Sequence, residues 1–114
     1  MIDDEMEIRG FLQDFFEEKE YQVEAARDGL EGWEKFQAGQ YDLVVCDMMM
    51  PRMIGLDVLK NIMTVKPDQR VIMLTGVKET SLVEKAKALG CKFYLNKPFG
   101  LQDLDMKVKE CIQA

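Results

Sequence analysis

The stretch DLVVCD, residues 42–47, predicts the architecture of this chain. Four consecutive apolar residues lie between two aspartates, with no polar residue among them to face solvent. Such a run is typical of a parallel strand that helices cover on both faces of a sheet. A second run of the same kind, VIML at residues 71–74, is followed directly by Thr75. The two runs indicate a central parallel sheet whose strands end at polar side chains.

Segments with helical periodicity separate these runs. Apolar residues recur at i, i+3, i+4 and i+7 from Ile8 to Phe15, which predicts a helix over about residues 5–19. Four more helices are predicted: one beginning at Asp28, and others over about 55–64, 81–90 and 101–112. Short strands are predicted at 21–25 and 91–95. Strands that alternate with helices indicate a doubly wound α/β fold, whose functional site lies at the carboxyl ends of the strands.

Composition excludes several classes of protein. The chain has 114 residues, which suits one domain, and carries a net charge of −6, which disfavours nucleic acid as a direct partner. No apolar run approaches the roughly 18 residues of a membrane span, so no membrane association is expected. Histidine is absent, which excludes Ser-His-Asp and Cys-His catalysis. Cys46, Cys91 and Cys111 form no paired motif, and we expect buried free thiols in a cytoplasmic protein.

Polar residues follow the predicted strands, and they define a candidate site. They are Asp3, Asp4, Asp47, Thr75 and the pair Asn96 and Lys97. Taken singly, each has an ordinary explanation as a cap, a turn residue or a solvated charge. Three carboxylates at one sheet edge repel one another, so they must share protons or bind a cation, and oxygen ligands alone suit Mg²⁺. With a lysine and a hydroxyl added, the set suits phosphoryl transfer to an aspartate.

At this point the sequence resembles the receiver domain of bacterial two-component response regulators. Four segments match the family's motifs in order and spacing: DDE at 3–5, VVCDMMMP at 44–51, LTG at 74–76 and YLNKPF at 94–99. The resemblance extends over essentially the whole chain and implies a flavodoxin-like sheet of strand order 2-1-3-4-5. It also implies that Asp47 accepts a phosphoryl group from the phosphohistidine of a sensor histidine kinase or phosphotransfer protein.

The resemblance implies further roles around the phosphoacceptor. Asp4, Asp3, Asp47 and the backbone carbonyl of Met49 would bind Mg²⁺. Thr75 and Lys97 would contact the phosphoryl oxygens, while Thr75 and Tyr94 would act as the switch that alters a surface for an unknown downstream protein. The Lys97-Pro98 peptide bond is expected to be cis. As a signalling domain, the chain would catalyse only its own Mg²⁺-dependent phosphorylation and dephosphorylation.

The sequence departs from the family at two places. Receivers place four or five apolar residues before the paired acids, and here only Met1 and Ile2 precede them. We therefore expect residues 1–114 to be a single receiver domain, shortened at its N-terminus and without an output domain, unless a partner chain completes the sheet. The second departure is Ile54, which replaces the usual polar residue before Gly55 and would leave the next helix without a side-chain cap.

Two other functions compete with the phosphoacceptor. One is a receiver-like interaction module that is never phosphorylated, which the reduced first strand favours. The other is a phosphatase or phosphotransferase with an aspartyl nucleophile. Such enzymes typically carry a second acid two residues after the nucleophile, where this chain has Met49. Nucleotide-binding motifs of the GxGxxG and GxxxxGK[ST] kinds are absent.

Overall fold

The two apolar runs form adjacent parallel strands at the centre of the fold. In the computed structural model, β1 (Val44–Asp47) pairs with β2 (Val71–Thr75), which pairs on its other side with β3 (Phe93–Asn96). Every residue of β1 and β2 is buried, as a run without polar alternation predicts. The structure describes residues 1–2, 6–48, 54–76 and 80–113, with only the backbone described for residues 6–9.

Helices cover both faces of this sheet. Within the described residues they are α1 (Met6–Glu18), α2 (Gly29–Ala38), α3 (Gly55–Val65), α4 (Thr80–Ala88) and α5 (Leu101–Gln113). One core cluster joins the sheet to α2, α3 and α4, and a second joins it to α1 and α5. The doubly wound α/β class is therefore confirmed. Among the described helices, none is long and apolar enough to cross a membrane.

The predicted strand order 2-1-3-4-5 is confirmed, although the first two positions are reduced to single bridges. Ile2 forms one parallel bridge with Ala26 and another with Cys46 of β1. The resulting spatial order is Ala26, Ile2, β1, β2 and β3. Ile2 is buried and packs directly over Gly32 of α2, where an added Cβ would lie 2.5 Å from its Cδ1 atom. Among the described residues, Ile2 thus occupies the place of the central first strand.

The strand predicted at residues 21–25 does not form. The structure shows extended but unpaired backbone there, and only Ala26 makes a bridge. A strand at this edge needs a neighbour, and among the described residues only Met1 and Ile2 pair with this segment. The amide of Ala26 donates to the Met1 carbonyl at 2.8 Å, and the sheet-like pairing of this segment goes little further.

The predicted start of α2 is confirmed, with Asp28 as its N-cap residue. The Asp28 side chain accepts from the Glu31 amide at 2.9 Å, and the Glu31 carboxylate accepts from the Arg27 amide at 3.0 Å. Helix α3 begins after Ile54 with no side-chain cap, as its sequence predicts. The sequence SLVE at residues 81–84 fits a capping box and predicts a helix start at Ser81, which is wrong because α4 already includes Thr80.

The end of α4 explains why β3 begins later than predicted. Gly90 has a φ of 103°, its amide donates to the Lys87 carbonyl at 3.0 Å, and the Cys91 amide donates to the Ala86 carbonyl at 3.2 Å. This is a Schellman motif, in which the Cys91 amide donates to a carbonyl of the last turn of the helix. The strand then starts at Phe93 rather than at Cys91.

Candidate functional site

Asp47 occupies the carboxyl end of β1, where the apolar strand ends at the sheet edge. Its amide donates to the Ile2 carbonyl at 2.9 Å, and the residue is only 4% exposed. The next residue, Met48, is fully buried, and its amide donates to the Leu74 carbonyl of β2 at 2.9 Å. Hydrogen bonds to both neighbouring strand positions thus fix the backbone on which the Asp47 carboxylate is presented.

Lys97 brings a positive charge directly to this carboxylate. Its Nζ donates to Asp47 Oδ2 at 2.6 Å, across 50 positions of sequence. The Lys97 amide also donates to the Thr75 carbonyl at 2.7 Å, which places the residue immediately after β3, and its bond to Pro98 is cis, as expected. A buried carboxylate is costly unless it is paired, and Lys97 provides that pairing. The lysine side chain remains 29% exposed, so the lysine end of the ion pair reaches solvent at the sheet edge.

Thr75 lies at the same edge, and its hydroxyl donates to Asn96 Oδ1 at 2.8 Å. Thr75 is 1% exposed, whereas Asn96 is exposed, so the bond links a buried group to the rim of the site. Sequence reasoning noted the pair Asn96 and Lys97 but gave Asn96 no role. Its position directly before the lysine, one strand over from Thr75, is the signal that could have suggested this contact.

Tyr94 lies half-buried in β3, and its hydroxyl donates to the Cys91 carbonyl at 2.7 Å. The Lys87 Nζ lies 6.0 Å from the centre of its ring, and the ring packs against the core cluster on that face. Burial raises the pKa of the Tyr94 hydroxyl, which therefore stays protonated as a donor. The ring is held on the α4 side of the sheet.

The proposed metal ligands Asp3, Asp4 and Met49 lie outside the described residues. Among the residues that are described, no group of three or more acidic, cysteine or histidine side chains could hold a metal ion. The donor chemistry nevertheless suits Mg²⁺, because the described member of the set, Asp47, is a buried carboxylate at the sheet edge and oxygen is the preferred ligand. Ile2, which directly precedes the two acids, bridges to Cys46, directly before Asp47.

The cysteines contribute nothing reactive to this site. Cys46, Cys91 and Cys111 are free and buried, as the sequence predicts. Burial raises the pKa of the Cys91 and Cys111 thiols, which keeps them protonated and poorly nucleophilic.

Gly55 supports the backbone beneath the site through close contact. Its amide donates to the Met48 carbonyl at 2.8 Å, and a Cβ built on it would lie 2.1 Å from the Asp47 carbonyl oxygen. No side chain fits at that distance without a backbone shift. The glycine at the start of α3 is thus required by the approach of the helix to the end of β1.

We expect Gly55→Ala to destabilise the protein by about 2 kcal/mol, because overpacking against backbone typically costs 1–3 kcal/mol. Gly10→Ala is the matched control, since an added Cβ there meets nothing within 4 Å and the position lies within α1. That change should instead stabilise the protein by about 0.5–1 kcal/mol. Urea unfolding of the two variants and the parent measures both effects, and equal midpoints for the two variants would contradict this account of Gly55.

Comparison with known proteins places this chain in a family. The family model described as the response regulator receiver domain matches residues 1–109. The chain is 31% identical over 110 residues to sporulation initiation phosphotransferase F of Bacillus subtilis, a match that covers 96% of this chain and 89% of that protein. It is 33% identical over 100 residues to the chemotaxis protein CheY of Listeria monocytogenes, with 87% and 84% of the two chains covered.

A solved structure has the same fold. A CheY-like response regulator receiver domain protein from Methanospirillum hungatei superposes with a TM-score of 0.93 at 28% identity, covering 98% of this chain and 90% of that one. Receiver domains are signalling domains rather than enzymes of the usual kind. The matched sequence and the shared fold together establish that this chain belongs to the response regulator receiver family of two-component systems.

Proposed function

We propose that Asp47 is the phosphoacceptor of this receiver and that it takes a phosphoryl group from the phosphohistidine of a sensor kinase or phosphotransfer protein. The observation that carries the proposal is the buried Asp47 carboxylate with Lys97 Nζ at 2.6 Å. A carboxylate in this position lies at the sheet edge and is held by a partly exposed cation that can follow the charge onto a phosphoryl group.

The proposed reaction is a displacement at phosphorus. An oxygen of the Asp47 carboxylate forms a bond to phosphorus as the bond from phosphorus to the donor's imidazole nitrogen breaks, and the imidazole leaves. Such transfer depends on positioning and on stabilising the charge of the phosphoryl oxygens. Lys97 supplies that charge, and the buried backbone of Asp47 supplies the position. The products are an acyl phosphate and a dephosphorylated donor.

Mg²⁺ completes the proposed site. We assign it to Asp3, Asp4 and Asp47, with the backbone carbonyl of Met49 as a further ligand. When bound, the ion would offset the negative charge of the carboxylates and of the incoming phosphoryl oxygens. The bridge between Ile2 and Cys46 supports this assignment, because it holds the residue before Asp3 next to the end of β1.

The switch is proposed to run through Thr75 and Tyr94. The Thr75 hydroxyl, now bonded to Asn96, would turn toward a phosphoryl oxygen because a charged acceptor forms the stronger hydrogen bond. Tyr94 would then leave the Cys91 carbonyl and turn inward. The altered surface would comprise α4, β3 and α5, and it would be read by a downstream protein.

The direct test of the proposed function is phosphorylation by acetyl phosphate. With Mg²⁺ present, we expect the intact chain to gain the mass of one phosphoryl group, and chelation of the metal should prevent the gain. Intact-protein mass spectrometry measures both. Absence of any mass gain in a protein shown to be folded would instead favour the receiver-like interaction module that is never phosphorylated.

We expect Thr75→Ala to accept phosphate on Asp47 yet to respond weakly. The variant lacks the hydroxyl that would couple the phosphoryl group to β3, while the nucleophile and Lys97 remain. NMR chemical shifts of residues 81–113, recorded before and after phosphorylation, measure the response. Thr80→Ala is the control, because it removes a threonine hydroxyl from the exposed start of α4. A full parental shift pattern in phosphorylated Thr75→Ala would contradict the proposed coupling.

A further inference from the structure

The Thr75 hydroxyl already has an acceptor on the neighbouring strand. It donates to Asn96 Oδ1 at 2.8 Å, which is within the usual length of an O–H···O hydrogen bond. The parallel register of β2 and β3 pairs Thr75 directly with Asn96, so the bond joins the last residues of the two strands. The contact therefore lies at the same sheet edge as Asp47.

The backbone around Asn96 holds this acceptor in place. Asn96 is the last residue of β3, and the amide of the next residue, Lys97, donates to the Thr75 carbonyl at 2.7 Å. Lys97 Nζ in turn donates to Asp47 Oδ2 at 2.6 Å. The acceptor of the Thr75 hydroxyl is thus fixed on the backbone segment that also presents the lysine to the proposed phosphoacceptor.

The Thr75 hydroxyl cannot donate to two acceptors at once. A threonine hydroxyl carries one proton and donates one hydrogen bond at a time. Donation to Asn96 and donation to a phosphoryl oxygen on Asp47 therefore exclude each other. Thr75 is only 1% exposed, so water does not readily replace either acceptor, and a buried hydroxyl without a partner is unfavourable. The hydroxyl therefore has two alternative positions, each defined by its acceptor.

The strength of the acceptor at residue 96 determines the balance between these positions. The amide oxygen of asparagine is neutral, whereas phosphoryl oxygens are charged and accept more strongly. Asn96 is exposed, so a substitution there changes the acceptor with little effect on the core. Residue 96 can thus weaken or strengthen the hold on the hydroxyl while the rest of the site stays the same.

We propose that Asn96 is a positioning residue, which holds the Thr75 hydroxyl in the unphosphorylated state and sets the share of phosphorylated molecules that switch. The inference rests on the proposed function, because the competing acceptor is a phosphoryl group on Asp47. A side chain that accepts more strongly than asparagine retains the hydroxyl and lowers that share, and a side chain with no acceptor raises it. This is a population shift between two states that differ in one hydrogen bond.

The test compares Asn96→Ala, which removes the acceptor, with Asn96→Asp, which makes it charged and stronger. Each chain is phosphorylated by acetyl phosphate with Mg²⁺, and intact-protein mass spectrometry gives the phosphorylated fraction. NMR shifts of residues 81–113, taken per phosphorylated molecule, give the ratio of switched to unswitched molecules. We expect this ratio to be at least about tenfold higher in Asn96→Ala, the effect of one hydrogen bond to a charged group. A ratio in Asn96→Ala equal to or below that in Asn96→Asp would overturn the proposal.

Two backgrounds separate the effect of the hydroxyl from that of the charge added by Asn96→Asp. In Thr75→Ser, which retains a hydroxyl, the difference between the two Asn96 variants should persist. In Thr75→Ala, which has no hydroxyl, the difference should disappear. A difference of the same size in Thr75→Ala would mean that residue 96 acts through its charge or its packing, and the inference would be wrong.

The same measurements distinguish this inference from the proposed function. If the parent chain gains no phosphoryl group, the proposed function fails and the inference fails with it. If every chain gains one and the two Asn96 variants respond equally, only the inference fails, and Asp47 remains the proposed phosphoacceptor.

Discussion

Asp47→Asn is expected to abolish phosphorylation by acetyl phosphate, whereas Asp42→Asn leaves it unchanged. The two aspartates lie at opposite ends of the same apolar run, but they differ in burial and in position at the sheet edge. Asp47 is buried at the carboxyl edge and accepts from Lys97 at 2.6 Å, while Asp42 is exposed at the amino end of the run. An amide in place of the Asp47 carboxylate is not a nucleophile toward phosphorus, so no acyl phosphate can form.

Intact-protein mass spectrometry after a fixed incubation measures this pair of variants. Circular dichroism of each variant checks that folding is retained, since Asp47→Asn alters a buried ion pair. We expect the Asp42→Asn mass gain to match that of the parent. Persistent phosphorylation of folded Asp47→Asn would mean that another carboxylate is the acceptor and would overturn the assignment.

The parts of the fold that the sequence predicted well are those that a continuous apolar run or a helical stripe encodes. The apolar residues 44–46 and 71–74 are buried because no polar residue alternates with them to face water. The segment at 21–25 has an equally suggestive pattern, alternating Tyr21, Val23 and Ala25 with polar residues, yet it forms no strand. Pairing depends on a neighbouring strand, and no pattern within the segment encodes whether that neighbour is present.

The candidate site likewise has features that the topology predicts and contacts that depend on residues distant in sequence. Topology alone brings Asp47, Thr75 and Lys97 to one edge, because parallel strands end together, and the structure confirms that they lie there. The choice of partner within the edge is not local. Thr75 bonds to Asn96 rather than to a group of its own strand, and this depends on the register of β2 against β3, in which Thr75 lies opposite Asn96. The apolar pattern within either strand does not encode that pairing.

The second large effect concerns stability. We expect a chain extended by four apolar residues before Met1 to unfold at a higher urea concentration than the chain of 114 residues. The register at Met1 and Ile2 directs such an extension into a cleft that lies beside Leu43 and Val45. Apolar side chains of α1 and α5 line one face of this cleft. Burying four apolar side chains contributes roughly 6–12 kcal/mol, and ordering four residues costs about 6 kcal/mol.

The expected net gain is therefore about 3 kcal/mol, which raises the urea midpoint by about 1.5 M for an unfolding slope of about 2 kcal/mol/M. The matched control is an extension of four glycine and serine residues, which has the same length but little apolar surface to bury and loses more conformational entropy on ordering. It should leave the midpoint close to that of the parent. Equal midpoints for the two extended chains would mean that the cleft does not accept a strand, because only the apolar extension can contribute burial there. A large gain from the apolar extension alone would show that the bridge at Ile2 is the end of a strand position whose remainder lies open beside β1.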